Sequence, residues 1–234
     1  MKLLVKQLRA NCLLGTLCAV AAVLGIGCSP ATNSEPRYNG RTLSEWLAEY
    51  EAAEKIGGTR ETNAITAISA IGSNAAPFLV EWINVSYTKS ERILDLVGFA
   101  GGKSYTPPRL ARANRAMRAF QILGTNAAQA IPGLTNIVMQ YGELNEAAID
   151  ARYALVYIGA PGVAALSTLA TNQSTPCRIE TIQILGASGR TGGSDEAKPA
   201  LTNCLSDSNS HVRYAAECAL AELTREDERR AKGK

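Results

Sequence analysis

The sequence predicts an all-α fold, an α-solenoid of about four to five stacked helical hairpins, on three observations. Hydrophobic residues make up 46% of the 234 positions but aromatics only 6%. Cores built mainly of alanine, leucine, isoleucine and valine suit closely packed helices better than a β-sandwich, which needs more β-branched and aromatic side chains. Apolar residues recur at i, i+3, i+4 and i+7, the spacing of one helix face. A unit made of an apolar-faced helix, a glycine, small polar residues and often a proline then recurs along the chain, and a repeat outranks any local motif.

In chain order, residues 1–27 read as an export signal. Lys2, Lys6 and Arg9 form a basic start, an uncharged apolar run follows from Cys12 to Gly27, and a polar stretch begins after Cys28-Ser29-Pro30. The run falls short of the ~20 residues that span a bilayer comfortably, which disfavours an uncleaved anchor. With small Gly27 before Cys28 and a linker after it, the segment resembles a bacterial lipoprotein signal. That resemblance implies lipidation of Cys28 and, with Ser29 next, attachment at the periplasmic face of the outer membrane. A cleaved, soluble periplasmic or secreted form is the alternative. Residues 28–40 are expected to be a flexible linker.

The signal also explains the formal charge of +3. Taking its three basic residues from 24 leaves 21 Lys and Arg against 21 Asp and Glu. A neutral mature chain has no global electrostatic reason to bind nucleic acid, and none is expected.

Residues 41–224 are expected to form the solenoid. Thr42-Leu43-Ser44-Glu45 has the shape of a capping box, and Leu43, Trp46, Leu47 and Tyr50 fall on one stripe up to Gly57-Gly58. The repeat units follow. Ala67-Ile68, Ile71-Gly72 and Ala76-Pro77 mark the first, and Ala119-Phe120, Leu123-Gly124 and Ile131-Pro132 the second. Ala154-Leu155, Ile158-Gly159 and Pro161 mark the third, and Ile182, Leu185-Gly186 and Pro199 the fourth. A fifth shows only a first helix, from Val212-Arg213 to Leu223. In each, glycine is expected to close the first helix in the left-handed conformation, Ser, Thr or Asn to cap the next, and proline to open it. One hairpin cannot bury both its faces, so neighbours must stack on it. The long gap between Gly72 and Gly124 calls for an insertion, placed at 84–108, and 187–194 reads as an exposed loop. Residues 225–234 read as a charged tail.

The units resemble HEAT repeats of the short bacterial kind. The last copy, Asp207 with Val212-Arg213 and Ala215-Ala216, is similar to the repeat of phycobilin-lyase-type HEAT proteins. The opening from Tyr38 to Leu47 is similar to the lead-in of bacterial envelope HEAT-repeat proteins. The resemblance covers about residues 38–224 and speaks to architecture rather than activity.

Motifs with a chemical look are few. Gly98-Phe99-Ala100-Gly101-Gly102-Lys103-Ser104 nearly matches a phosphate-binding loop, but it has three residues where four are needed before Gly-Lys, and Thr106-Pro107-Pro108 blocks the helix it should open. Arg109, Arg112, Arg115 and Arg118 drift by about 60° per step around their helix, so a solvated charged face is expected rather than a basic ridge. The single histidine, His211, has no nucleophile motif beside it, and the cysteines lack zinc spacing. No catalytic residue, cofactor or metal is expected. Cys177 would begin and Cys204 would end the fourth hairpin, whose antiparallel helices bring those ends together. Either they form a disulfide, or Cys177, Cys204 and Cys218 are buried thiols acting as small apolar residues.

In HEAT-like solenoids the second helices line the concave side, and the resemblance carries that orientation here. The positions it leaves exposed are uncharged and hydrogen-bonding: Thr135, Asn136, Gln140, Ser167, Thr168, Asn172, Thr202 and Asn203, with Lys198 the charged exception. Of these, Asn136, Gln140, Thr168, Asn172 and Asn203 are the candidate binding residues, suited to a peptide, a protein segment or a glycan. The other reading is that they only keep that face soluble. The expected function is a non-enzymatic protein–protein interaction scaffold of the bacterial cell envelope. The alternatives are a phycobilin-lyase-like accessory enzyme and a peptide- or glycan-binding module.

Overall fold

The structure, a computed structural model, describes residues 34–54, 57–100, 106–141 and 145–232, with the side chains of 98–100 left aside. The export signal, Cys28 and Lys103-Ser104 lie outside the described residues. The chain divides at Ser34, and the unit from Glu35 onward is the helical body.

The body opens on a two-stranded ribbon, β1 (Arg37–Tyr38) paired antiparallel with β2 (Arg41–Thr42). Asn39 and Gly40 make the turn with φ of 49° and 78°, the positive-φ pair that a tight hairpin needs and Asn-Gly supplies. This corrects the expectation of a flexible linker through residue 40. The ribbon is pinned to the first helix, because Trp46 Nε1 donates to Tyr38 O at 3.0 Å and the Arg41 guanidinium lies 4.2 Å over the Trp46 ring.

Helix α1 (Leu43–Glu54) starts with the expected capping box. Thr42 N donates to Glu45 Oε2 at 2.6 Å, and Glu45 N to Thr42 Oγ1 at 3.2 Å. These bonds hold the exposed Glu45 carboxyl below its ordinary range. Hairpins then follow in series: α2 (Thr59–Ile71) with α3 (Ala76–Ile83), and, after the inserted α4 (Lys89–Ala100), α5 (Pro108–Leu123) with α6 (Ile131–Gln140). Next come α7 (Glu146–Ile158) with α8 (Ala160–Thr171), then α9 (Arg178–Leu185) with α10 (Ser194–Cys204), and finally the single helix α11 (Ser210–Lys232).

The packing is serial. First helices touch in the order α2, α5, α7, α9, α11, and each second helix packs on the first helix of the next unit. That order, with one continuous core running through all the hairpins, makes the body an all-α solenoid. Its seam is built of small residues. Ala64 and Ala67, Ala116 and Ala119, Ala151 and Ala154, and Ala215, Ala216 and Ala219 are all buried on first helices. Larger side chains such as Ile68, Phe120, Leu155 and Ile182 fill the gaps between them. Gly162 is required at one such approach, since a Cβ there would lie 2.0 Å from Leu155 O.

The helix ends differ from the sequence expectation. Gly72, Gly124 and Gly159 have the positive φ foreseen, 58°, 51° and 84°, but ψ between −129° and −150°. That region lies outside the left-handed helical well and is essentially open to glycine alone. Gly186 is right-handed at φ −56°, and its place is set by space, because a Cβ would come 3.1 Å from Ala219 Cα. Ser73, Asn74, Thr125 and Asn126 sit in 3-10 turns, and those turns continue into α3 and α6 with no side-chain cap. Pro77, Pro132 and Pro161 do occupy first turns, while Pro199 lies inside α10. The stretch 187–194, expected as an exposed loop, buries Ser188, Gly189, Gly193 and Ser194. It packs on α11, with a Gly189 Cβ falling 2.9 Å from Glu226 Cβ.

Two further segments depart from expectation. The insertion holds a helix, α4, opened by a second capping box in which Thr88 N donates to Glu91 Oε2 at 2.9 Å and Glu91 N to Thr88 Oγ1 at 3.3 Å. Helix α4 turns its charges toward the body, where Glu91 pairs with Arg109 and Arg92 with Glu146. Its apolar residues Ile93, Leu94, Leu96 and Val97 are 54–70% exposed. The segment from 225, expected as a tail, continues α11 to Lys232. Asp227 accepts from Lys198 Nζ at 2.7 Å and Ser194 Oγ at 2.8 Å, and Arg230 reaches Gly189 O at 3.1 Å.

Candidate functional site

The five candidate residues lie on one row of helices. Asn136 and Gln140 are exposed on α6, Thr168 on α8 and Asn203 on α10, while Asn172 is exposed just past the end of α8. Helix α8 packs against both α6 and α10, so the row is continuous. Its polar groups are not equally free. Thr168 Oγ1 donates to Ala164 O at 3.1 Å, as Thr135 and Thr202 do to carbonyls of their own helices. Asn172 Oδ1 accepts from Ser174 N at 3.0 Å, ending α8 in an Asx turn. Ser167 is buried and donates to Glu196 O, which ties α8 to the start of α10. Lys198 is held by Asp227, and that pairing raises its ammonium pKa. The side-chain amides of Asn136, Gln140 and Asn203 stay unspent among the described residues. Asn203 lines a 270 Å³ cleft with Thr171, Gln173 and the Arg178–Asp207 pair.

Two larger clefts lie elsewhere. One of about 440 Å³ runs between α1, α5 and α7, lined by Tyr50, Met117 and Tyr157 and crossed by the pairs Arg115–Glu51 at 2.7 Å and Arg118–Glu54 at 3.5 Å. Another of about 420 Å³ lies between α7, α9 and α11, with Ile149, Tyr153 and Ile184 beside Arg190 and Glu222. By its sequence, the helix carrying Arg109, Arg112, Arg115 and Arg118 is expected to show only a solvated charged face. The tyrosines at 153 and 157, set among the charges of α7, were the available signal. The arginine series is not bare either. Arg109, Arg115 and Arg118 are ion-paired, and Arg112 lies 5.4 Å over the Trp82 ring.

No protein-family model matches the chain, and no curated protein matches it. Among solved structures, the designed armadillo repeat protein YIII(Dq)4CqI is similar over 77% of this chain and 82% of its own, at 17% identity and a TM-score of 0.29. A likeness at that level says nothing of ligands, and the solenoid stands on the packing order given above.

The remaining candidates resolve as follows. Gly98–Ala100 are the last residues of α4, and the rest of that motif, residues 101–104, lies outside the described residues. His211 is exposed, its backbone N bonded to Asn209 Oδ1. Among the described residues no group of three or more His, Cys, Asp or Glu could hold a metal ion. Cys177, Cys204 and Cys218 are unbridged thiols in three settings: half-buried, buried and exposed. Cys204 turns inward toward Ala170 O at 3.8 Å, and burial pushes its pKa up. The structure therefore has neither a Cys177–Cys204 disulfide nor three buried thiols, because Cys204 is committed to the core while Cys218 faces outward from α11.

Sequence reasoning also missed two polar residues on α7. Aligning α7 with α11 on Ala154-Leu155 and Ala219-Leu220 sets Asp150 against the buried Ala215 and Arg152 against the exposed Glu217. Burial, with the Glu146 carboxylate adding to it, raises Asp150 to about 6. Arg152 is wholly buried. Ionisable groups drawn from water against a repeat's pattern, Arg152 wholly and Asp150 in part, are where function or strain is expected.

Proposed function

We propose that this chain is a non-enzymatic interaction scaffold of the bacterial cell envelope, exported and held through lipid on Cys28 at the periplasmic face of the outer membrane. The scaffold reading is supported by the α6–α8–α10 row, where the Asn136, Gln140 and Asn203 side-chain amides have no intramolecular partner among the described residues. Each amide offers donors and an acceptor, so a row of them matches the alternating N–H and C=O groups of an extended peptide or protein segment. Repeat solenoids bind along such continuous surfaces. The envelope reading is supported by the basic start, apolar run and Gly27-Cys28 of the sequence.

Two experiments test it. Affinity capture with the mature chain, against a variant carrying Asn136→Arg, Thr168→Arg and Asn203→Arg, should retain defined partners only on the wild type, with the two helical spectra superimposable. Partners retained equally by the variant would defeat the assignment of the binding row. Palmitate labelling should mark the wild type and not Cys28→Ala, and an unlabelled wild type would refute the anchor.

A further inference from the structure

The fully buried Arg152 guanidinium has neutral hydrogen-bond partners. Nε donates to Thr181 Oγ1 at 2.9 Å and Nη2 to Pro176 O at 3.2 Å, while Nη1 is buried with no acceptor. A buried cation is stable only when an anion or a full set of hydrogen bonds compensates its lost hydration. Burial pulls Arg152 below its ordinary range, and the groups that oppose this are the Cys177 side chain first and the Glu180 carboxylate after it. The neighbouring Arg178 is engaged elsewhere, with Asp207 at 2.7 Å.

Cys177 is placed to answer that charge. It lies between Pro176, whose carbonyl Arg152 holds, and α9, whose Thr181 hydroxyl joins the Arg152 Nε to the Cys177 carbonyl at 3.1 Å. Its backbone is left-handed, with φ 55° and ψ 46°, a conformation that costs an L-residue and persists only where the surroundings impose it. As N-cap of α9 it also sits at the positive end of that helix. A cation and a helix N-terminus together are the setting that turns a thiol into a thiolate.

We propose that Cys177 is a covalent-modification site, a thiolate paired with the buried Arg152 guanidinium that reacts with small electrophiles, hydroperoxides among them. With hydrogen peroxide, the Cys177 sulfur attacks one oxygen, and an S–O bond forms as the O–O bond breaks. Hydroxide leaves and takes up a proton as water. Sulfur is oxidised by two electrons to the sulfenic acid while the peroxide is reduced.

The protein carries its own controls. Cys218 is exposed beside Tyr214, and Cys204 is buried. The full folded chain is treated with limiting iodoacetamide across pH 5–9, and each cysteine is read by peptide mass spectrometry. Cys177 should reach its half-maximal rate at least one pH unit below Cys218 and react several-fold faster at pH 6, although it is the less exposed. A lower-pKa thiolate is intrinsically less nucleophilic, which keeps the expected gain to several-fold. Hydrogen peroxide followed by dimedone should mark Cys177 and spare Cys218. Arg152→Lys should keep the low midpoint, and Arg152→Gln should move it up to that of Cys218. If those variants fail to fold, the wild-type profile decides alone. A Cys177 midpoint at or above that of Cys218, or no labelling of Cys177 in the folded chain, would overturn the proposal.

Discussion

Replacing Asp150 by asparagine should stabilise the protein at neutral pH and flatten its pH dependence. Asp150 occupies a position that the last unit fills with a buried alanine, and Glu146 stands one turn before it on α7. Burial first and the Glu146 charge second raise its pKa from 3.8 to about 6. Between those two values the folded state holds a proton that the unfolded chain has released, so stability falls as pH rises from about 4 to about 6 and is flat above. Two pKa units correspond to ~3 kcal/mol, and partial solvent access at this site reduces that to ~2 kcal/mol. The asparagine amide keeps the shape of the carboxyl and cannot ionise, so D150N should gain most of that at pH 7.5 and little at pH 4. For a body of this size the gain is roughly 4–8 °C in Tm. Thermal unfolding followed by circular dichroism at the two pH values reads it directly. A D150N variant no more stable than wild type at pH 7.5, or a gain equally large at pH 4, would refute the reasoning.

Other consequences follow from the packing. Gly162→Ala should destabilise the α7–α8 hairpin by about 3 kcal/mol, because the added methyl meets a backbone oxygen that cannot turn aside, and a Tm drop of several degrees would register it. Truncation after Thr224 should lower the unfolding midpoint and raise hydrogen exchange in α10 and the 186–193 segment, whereas an expendable tail would leave both unchanged. Ile93→Glu with Leu96→Glu should change stability by less than about 0.5 kcal/mol, since both side chains already face solvent on α4, and should reduce binding of a hydrophobic dye.

The repeat itself was legible because its determinants are local. Apolar spacing, the glycines at 72, 124 and 159 and the prolines at 77, 132 and 161 all act within a few residues of their own position. The Thr42–Glu45 box was equally local, and so were two features the reading passed over, the Asn39-Gly40 turn and the Thr88–Glu91 box that opens α4. The candidate row was legible only as a pattern of exposure. Which of its groups remain free depends on bonds such as Thr168 to Ala164 O and Lys198 to Asp227.

The sequence by itself determined that this chain makes paired helices with small-residue seams, since helix period and chain punctuation are written in neighbouring residues. Only the tertiary structure decided that the charged end is a packed part of α11, that Asp150 is half-buried and Arg152 wholly buried, and that Cys177 is set beside a buried cation. Those outcomes arise where segments distant in sequence meet, and burial changes the energy of a charge by more than any local propensity can signal.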